Sequence, residues 1–132
     1  MQVKSRKVWI GPCLLVIAGV HTLFAGLIYG DVFLHMLERG VFNTVNRDPQ
    51  RSAATWFLLF GLVLALLALT ITTLEKKQDF PEARKLGIGI FLLCAFSIVL
   101  IPASGFWLAI PPAIALMLIS PSSRNSRFQV QS

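Results

Sequence analysis

"LGIGIFLLCAFSIVLIPASGFWLAIPPAIALMLIS" occupies residues 86–120 and carries no charged side chain over its 35 positions. Drawn as one helix it would run about 52 Å, against about 30 Å for the hydrocarbon core of a bilayer. It is too long for one crossing, so it has to turn. "IPASGF", residues 101–106, is where it turns. The ring of Pro102 pushes Ile101 out of helical angles, and Gly105 tolerates a tight bend. The stretch therefore reads as two short spans, residues 86–101 and 106–120, joined in a hairpin. A re-entrant hairpin that never crosses is the alternative, because irregular backbone at membrane depth is tolerated only where protein or water covers it.

Two further runs have the same character. Residues 8–30 and 53–74 each lack charge and are long enough, at about 34 and 33 Å, to cross. The whole chain of 132 residues is 55% hydrophobic and 14% charged, where a soluble domain carries about 25% charged residues. Mean hydropathy is +0.72. These values exclude an ordinary soluble core and point to a single all-α polytopic membrane domain, residues 1–132, with a polar C-terminal tail at 121–132. "MQVKSRK" resembles the basic start of a signal peptide, but the apolar run behind it is long, contains His21 and has no small-x-small cleavage site, so it reads as a permanent helix.

The basic residues set the orientation. With four spans, one side receives Lys4, Arg6, Lys7, Lys76, Lys77, Arg84, Lys85, Arg124 and Arg127, and the other only Arg39, Arg47 and Arg51. Nine against three places both termini in the cytoplasm, and a bacterial inner membrane is the expected location. The net charge of +6 is largely this asymmetry. It suits anionic lipid headgroups, and no nucleic-acid motif accompanies it. Cys13 and Cys94, the two cysteines, lie within spans without metal-type spacing and read as free thiols.

The segment between the first two spans is the richest polar part. "GDVFLHMLERG" places Asp31 as a candidate cap and Gly40 as a stop, with Phe33, Leu34, Leu37 and Val41 at helical spacing and Asp31, His35 and Glu38 on another face. It is expected to be a short amphipathic helix on the outer surface. Asp48 followed by Pro49 is a helix start. Within the spans, Ala18, Thr22, Gly26 and Gly30 form one stripe of small residues, and Gly61, Ala65, Ala68 and Thr72 another. Lipid provides no hydrophobic drive between helices, so such stripes mark close backbone packing, with each other or with a partner in a homo-oligomer or larger membrane complex.

His21 stands alone among oily neighbours in "AGVHTLFAG". An ionisable group inside a membrane is a functional candidate. It also reads as a neutral ring bonded to Thr22, Thr55, Ser104 or a carbonyl freed by a proline. A ligand or proton role is a second reading, and a metal role would need Asp31, His35 or Glu38 to reach inward. Around the outer turn, "PASGFWLAIPPA" adds Ser104, Trp107 and the Pro111–Pro112 pair, which would free carbonyls in the preceding turn. Trp56 and Tyr29 gather at the same level. These are either an aromatic belt with a kink or a small outward-facing pocket lined by His21, Trp56, Ser104 and Trp107.

"HTLFAGLIYGD", "GVFNTV", "DPQRSAATWFLLFG" and "PASGFWLAIPPA" together resemble a bacterial family of small four-helix integral membrane proteins classed as a domain of unknown function. The resemblance spans residues 9–118 and implies the four-span antiparallel layout, with no chemistry attached. More distantly, the layout is similar to DoxX-like proteins and to sterol-isomerase-type four-helix domains.

Three functions compete. The sequence favours a non-enzymatic accessory or structural subunit, with no cofactor and no metal, in contact with membrane lipids. The alternative binds or converts a small lipophilic molecule around His21. A small exporter matches the size, but exporters of that type resemble one another in a glutamate embedded in the first helix, and here all six acids fall outside the four assigned spans.

Overall fold

The computed structural model describes residues 7–120 and is all-α. Lys4, Arg6, Arg124, Arg127 and the tail at 121–132 lie outside the described residues. The elements are α1 (Ile10–Glu38), α2 (Pro49–Lys77), α3 (Phe80–Leu100), a 3-10 helix (Gly105–Ala109) and α4 (Ile110–Met117). The first three are long and apolar enough to cross a membrane, and the 3-10 segment with α4 forms one shorter apolar helix.

The caps explain most of the boundaries. Asp48 accepts from the amides of Gln50 and Arg51 at 2.9 and 3.1 Å, with Pro49 in the first turn, so α2 begins where the Asp-Pro pair places it. Gly40, at φ +86°, ends α1 in the left-handed conformation that glycine adopts without strain. α3 starts earlier than residue 86, because Asp79 caps it and Pro81 occupies its first turn. It ends at Leu100, just before the Ile101–Pro102 break.

Two expectations are corrected. The separate amphipathic helix in the outer loop does not exist: α1 runs unbroken through Gly30 and Asp31 to Glu38. An aspartate caps a helix only where the preceding backbone leaves helical angles, and nothing before Asp31 forces that; a glycine inside a helix costs about 1 kcal/mol, too little to stop it. Nor do Pro111 and Pro112 kink a helix. They occupy the first turn of α4, where a missing amide hydrogen leaves no bond unmade, and the turn before them is 3-10.

α1 packs along α2, and α3 packs against α4, with lighter contact between the two pairs. The α1–α2 seam is built from buried residues that recur every seven positions: Gly11, Ala18 and Ala25 on α1, and Ala54, Gly61, Ala68 and Glu75 on α2. That is the period of helices wrapped in a left-handed supercoil. A Cβ on Gly61 would sit 2.7 Å from the Thr22 hydroxyl and 3.0 Å from the His21 ring. One on Gly11 would strike the Thr72 hydroxyl and lie 2.6 Å from the Thr72 amide nitrogen. The α2 stripe thus lies in the contact as expected. The α1 stripe lies there only in its first half, because residues four apart drift about 40° per step around a helix. Gly26 and Gly30 have turned outward, where a Cβ would meet nothing within 4 Å, and Ala25 takes the buried place.

The second close approach is at Gly87 on α3, where a Cβ would meet Leu116 Cβ at 2.7 Å and the Met117 amide nitrogen at 3.0 Å. Around it lies the apolar core, which includes Leu14, Ile71, Ala83, Ile90, Cys94, Ala113 and Leu116 and joins all four helices. Cys13 and Cys94 are both free.

Candidate functional site

His21 faces α2. Its Nε2 lies 2.9 Å from the backbone oxygen of Phe57, and its ring stacks on the Phe57 ring at 4.2 Å with an interplanar angle of 17°. A carbonyl oxygen only accepts, so Nε2 carries the hydrogen and donates it. The partner is therefore neither a hydroxyl nor a carbonyl freed by a proline, but a carbonyl inside α2. Thr22 turns its own hydroxyl back to the Ala18 carbonyl at 2.9 Å. The imidazole forms part of an aromatic chain across the bundle: Phe33, Tyr29, Phe57, His21, Phe60 and Phe106 meet in succession, with ring centroids 4.2 to 6.5 Å apart. The gap that admits the histidine is made by Gly61.

The other residues of the predicted pocket stand apart from this ring. Trp56 is 71% exposed and Trp107 58%. Trp107 donates its indole hydrogen to the Pro102 carbonyl at 2.9 Å, closing the turn between α3 and the 3-10 helix. Among the described residues, the Ser104 hydroxyl is buried without a partner, as are those of Thr44 and Thr55. None of Trp56, Ser104 and Trp107 bonds or stacks with His21. Among the described residues, no group of three His, Cys, Asp or Glu side chains is placed to hold a metal ion. His35 and Glu38 pair with each other at 3.4 Å on the exposed surface.

The most demanding polar arrangement lies at the opposite end of the α1–α2 pair. The first turn of α1 has no cap of its own: Trp9 stands in the cap position and offers no side-chain acceptor. A helix start leaves amide hydrogens without intrahelical partners, and buried ones need acceptors. Here Pro12 removes one of them, and Cys13 already bonds to the Trp9 carbonyl at 3.0 Å. The remaining three all point to Glu75, from the last turn of α2. Its Oε1 accepts from Trp9 at 3.3 Å and Ile10 at 3.2 Å, and its Oε2 from Gly11 at 2.8 Å. Every orphan donor of that turn is satisfied by one carboxylate, itself only 7% exposed. Its negative charge also faces the positive end of the α1 dipole. The bare Gly11 is what lets the two backbones come close enough.

A counterpart lies on the other helix pair. Arg84, near the start of α3, donates from Nη2 to the Ile119 carbonyl at 2.9 Å, just past the end of α4. A cation thus meets the negative end of that helix. The short α2–α3 connection therefore places an anion and a cation on either side of it, each closing the terminus of an outer helix.

Sequence reading missed Glu75, which it counted outside the second span. Two faint signals existed: a first helix opening on "WIGPC" with no capping residue, and a glutamate directly after a long apolar run. The partner 64 residues away is invisible to local patterning.

A third polar feature is a cleft of about 190 Å³ between the end of α1 and the start of α2, lined by Val32, His35, Arg39, Asp48, Gln50 and Arg51. Arg51 is fixed there by Asp48 at 3.4 Å and by the Thr44 carbonyl, to which it donates at 3.0 Å.

No curated protein and no solved structure matches the chain. A family described as "Family of unknown function (DUF6463)" does match, over residues 5–123. With three candidate membrane spans and a shorter apolar helix, all held by backbone caps and small-residue seams, the chain is a multi-pass membrane protein that belongs to this family of unknown function.

Proposed function

We propose that the chain is a non-enzymatic structural or accessory subunit that crosses a bacterial inner membrane four times, with both termini in the cytoplasm. The observation that carries this reading is the use made of its two embedded ionisable groups. His21 is a packing element that donates to a helix carbonyl, and Glu75 is a helix cap with both oxygens engaged. A glutamate so bound is committed to closing the start of α1, which weighs against a coupling role in an exporter. Four crossings are supported by the reach of the last hairpin. The Arg84 side chain reaches the Ile119 carbonyl, and Leu116 lies against Gly87, so the returning segment runs back along most of α3. The basic asymmetry supports the orientation.

A subunit of this kind needs a face for its partner. Gly19, Gly26, Gly30 and Gly89 all leave open space on the outside of the bundle, where a second helix could approach closely. The test is the mass of the particle extracted in native lipid nanodiscs, for wild type and for Gly26→Leu with Gly30→Leu. At either position an added Cβ meets nothing within 4 Å in the protomer. Loss of a larger assembly supports the proposal, and a lone protomer in both samples overturns it.

One observation keeps the second reading, a lipophilic ligand beside His21. Its Nδ1 has no hydrogen-bond partner among the described residues, so an acceptor remains on a ring that also meets Phe60.

A further inference from the structure

The cleft at the outer ends of α1 and α2 lies at a defined depth. Val32 is 22 residues beyond Ile10, about 33 Å along a continuous helix, while the hydrocarbon core is about 30 Å thick. With the apolar slab beginning at Ile10, the cleft opens just past its far side, where lipid phosphates lie. Its charges are unevenly engaged. Asp48 accepts from two backbone amides and pairs with Arg51, so the cleft keeps one uncompensated positive charge, that of Arg39. Glu38, on the same helix end, faces His35. The Arg39 side chain has no hydrogen bond and no ion pair among the described residues. Arg51 adds a second guanidinium, held rigid from behind by the Thr44 carbonyl. The same end exposes bare apolar side chains, Leu37, Val41 and Phe42, the last 97% exposed. A basic cleft beside apolar side chains, at phosphate depth, matches an amphiphile with an anionic head.

We propose that this cleft binds the phosphate of an anionic phospholipid from the outer leaflet, with Arg39 as the contacting cation and Arg51 as the preset second donor. Guanidinium forks suit phosphate oxygens, and such charge-assisted bonds are stronger than neutral ones. The inference rests on the membrane reading given above, which co-flotation of the wild-type protein with vesicles tests separately: failure to float with any vesicle removes the membrane reading itself.

The decisive experiment measures lipid binding to the full chain in detergent by native mass spectrometry, with phosphatidylglycerol and phosphatidylcholine compared. Wild type is expected to retain phosphatidylglycerol preferentially. Arg39→Gln is expected to weaken that binding about tenfold, in line with loss of one charge-assisted contact, and Arg39→Lys to recover part of it. Lys77→Gln, an exposed lysine at the other end of α2, should change nothing. Equal retention of the two lipids by wild type overturns the proposal. So does a loss caused by Lys77→Gln and not by Arg39→Gln, which would assign the lipid to the opposite face. Inorganic phosphate at matched concentration should not displace the lipid; full displacement would assign the cleft to the free ion and overturn the lipid.

Discussion

Replacing Glu75 with alanine removes the acceptor of three backbone amides at once. Two of those bonds, from Ile10 and Gly11, are buried, and the third, from Trp9, is partly open to water. A buried donor left without a partner costs about 1–3 kcal/mol, so the two buried amides alone predict about 2–6 kcal/mol. Loss of a negative charge at the positive end of α1 adds about 0.3–1 kcal/mol. Water can rescue only the Trp9 amide, so Glu75→Ala should destabilise the fold by about 2–7 kcal/mol. Glu75→Gln keeps one acceptor oxygen but turns an amide donor toward the helix start, and should cost about 1–3 kcal/mol by the same reasoning. Equilibrium unfolding in mixed micelles measures both. The structure also provides a local probe. Cys13 lies in the first turn of α1 and is half-buried, while Cys94 is buried in the core. Fraying of α1 should speed maleimide labelling of Cys13 and leave Cys94 unchanged. A Glu75→Ala protein that loses less than about 1 kcal/mol, with Cys13 labelling at the wild-type rate, would refute the capping argument.

Gly87→Ala should destabilise by about 1–3 kcal/mol through overpacking against Leu116 and the α4 backbone, and Gly89→Ala, two residues on with open space, should not; thermal midpoints in detergent compare them. Gly61→Leu should cost a similar amount by driving α1 and α2 apart at Thr22 and His21, and an unchanged midpoint would show that this seam is not formed. His21→Gln, which can still donate to the Phe57 carbonyl, should stay close to wild-type stability, while His21→Leu should lose about 1 kcal/mol in the same measurement. A reporter active only in the cytoplasm, fused after Ser132, should be active; a silent fusion with an active periplasmic reporter in its place points to an odd number of spans.

What could be read from the residues alone was what is local. The start of α2 follows from Asp48 and Pro49, the stop of α1 from Gly40, and the break after α3 from Pro102, because each acts on its own few dihedrals. The α2 stripe was legible for the same reason, since Gly61, Ala65, Ala68 and Thr72 keep to one side over three turns. The α1 stripe was legible only in part, because spacing by four drifts away from a seam that repeats by seven. Asp31 misled because its capping tendency is conditional on a backbone already leaving the helix. The partners of His21 and Glu75 were out of reach. One is a backbone carbonyl, which every residue possesses, and the other is a set of amides whose need arises only when a distant helix lacks its own cap.

The Glu75 bond has a consequence for biosynthesis. Gly11 leaves the ribosome 64 residues ahead of the side chain that completes its helix. At about 5–20 residues per second, α1 waits about 3–13 s with its leading amides unmatched. During that interval the nascent helix can only hold those amides at a water-accessible level, so its N-terminal end is kept at the membrane surface until the second helix arrives. A chain that stops short of Glu75 lacks the acceptor that completes the first turn of α1, so its leading amides stay unmatched for as long as it exists.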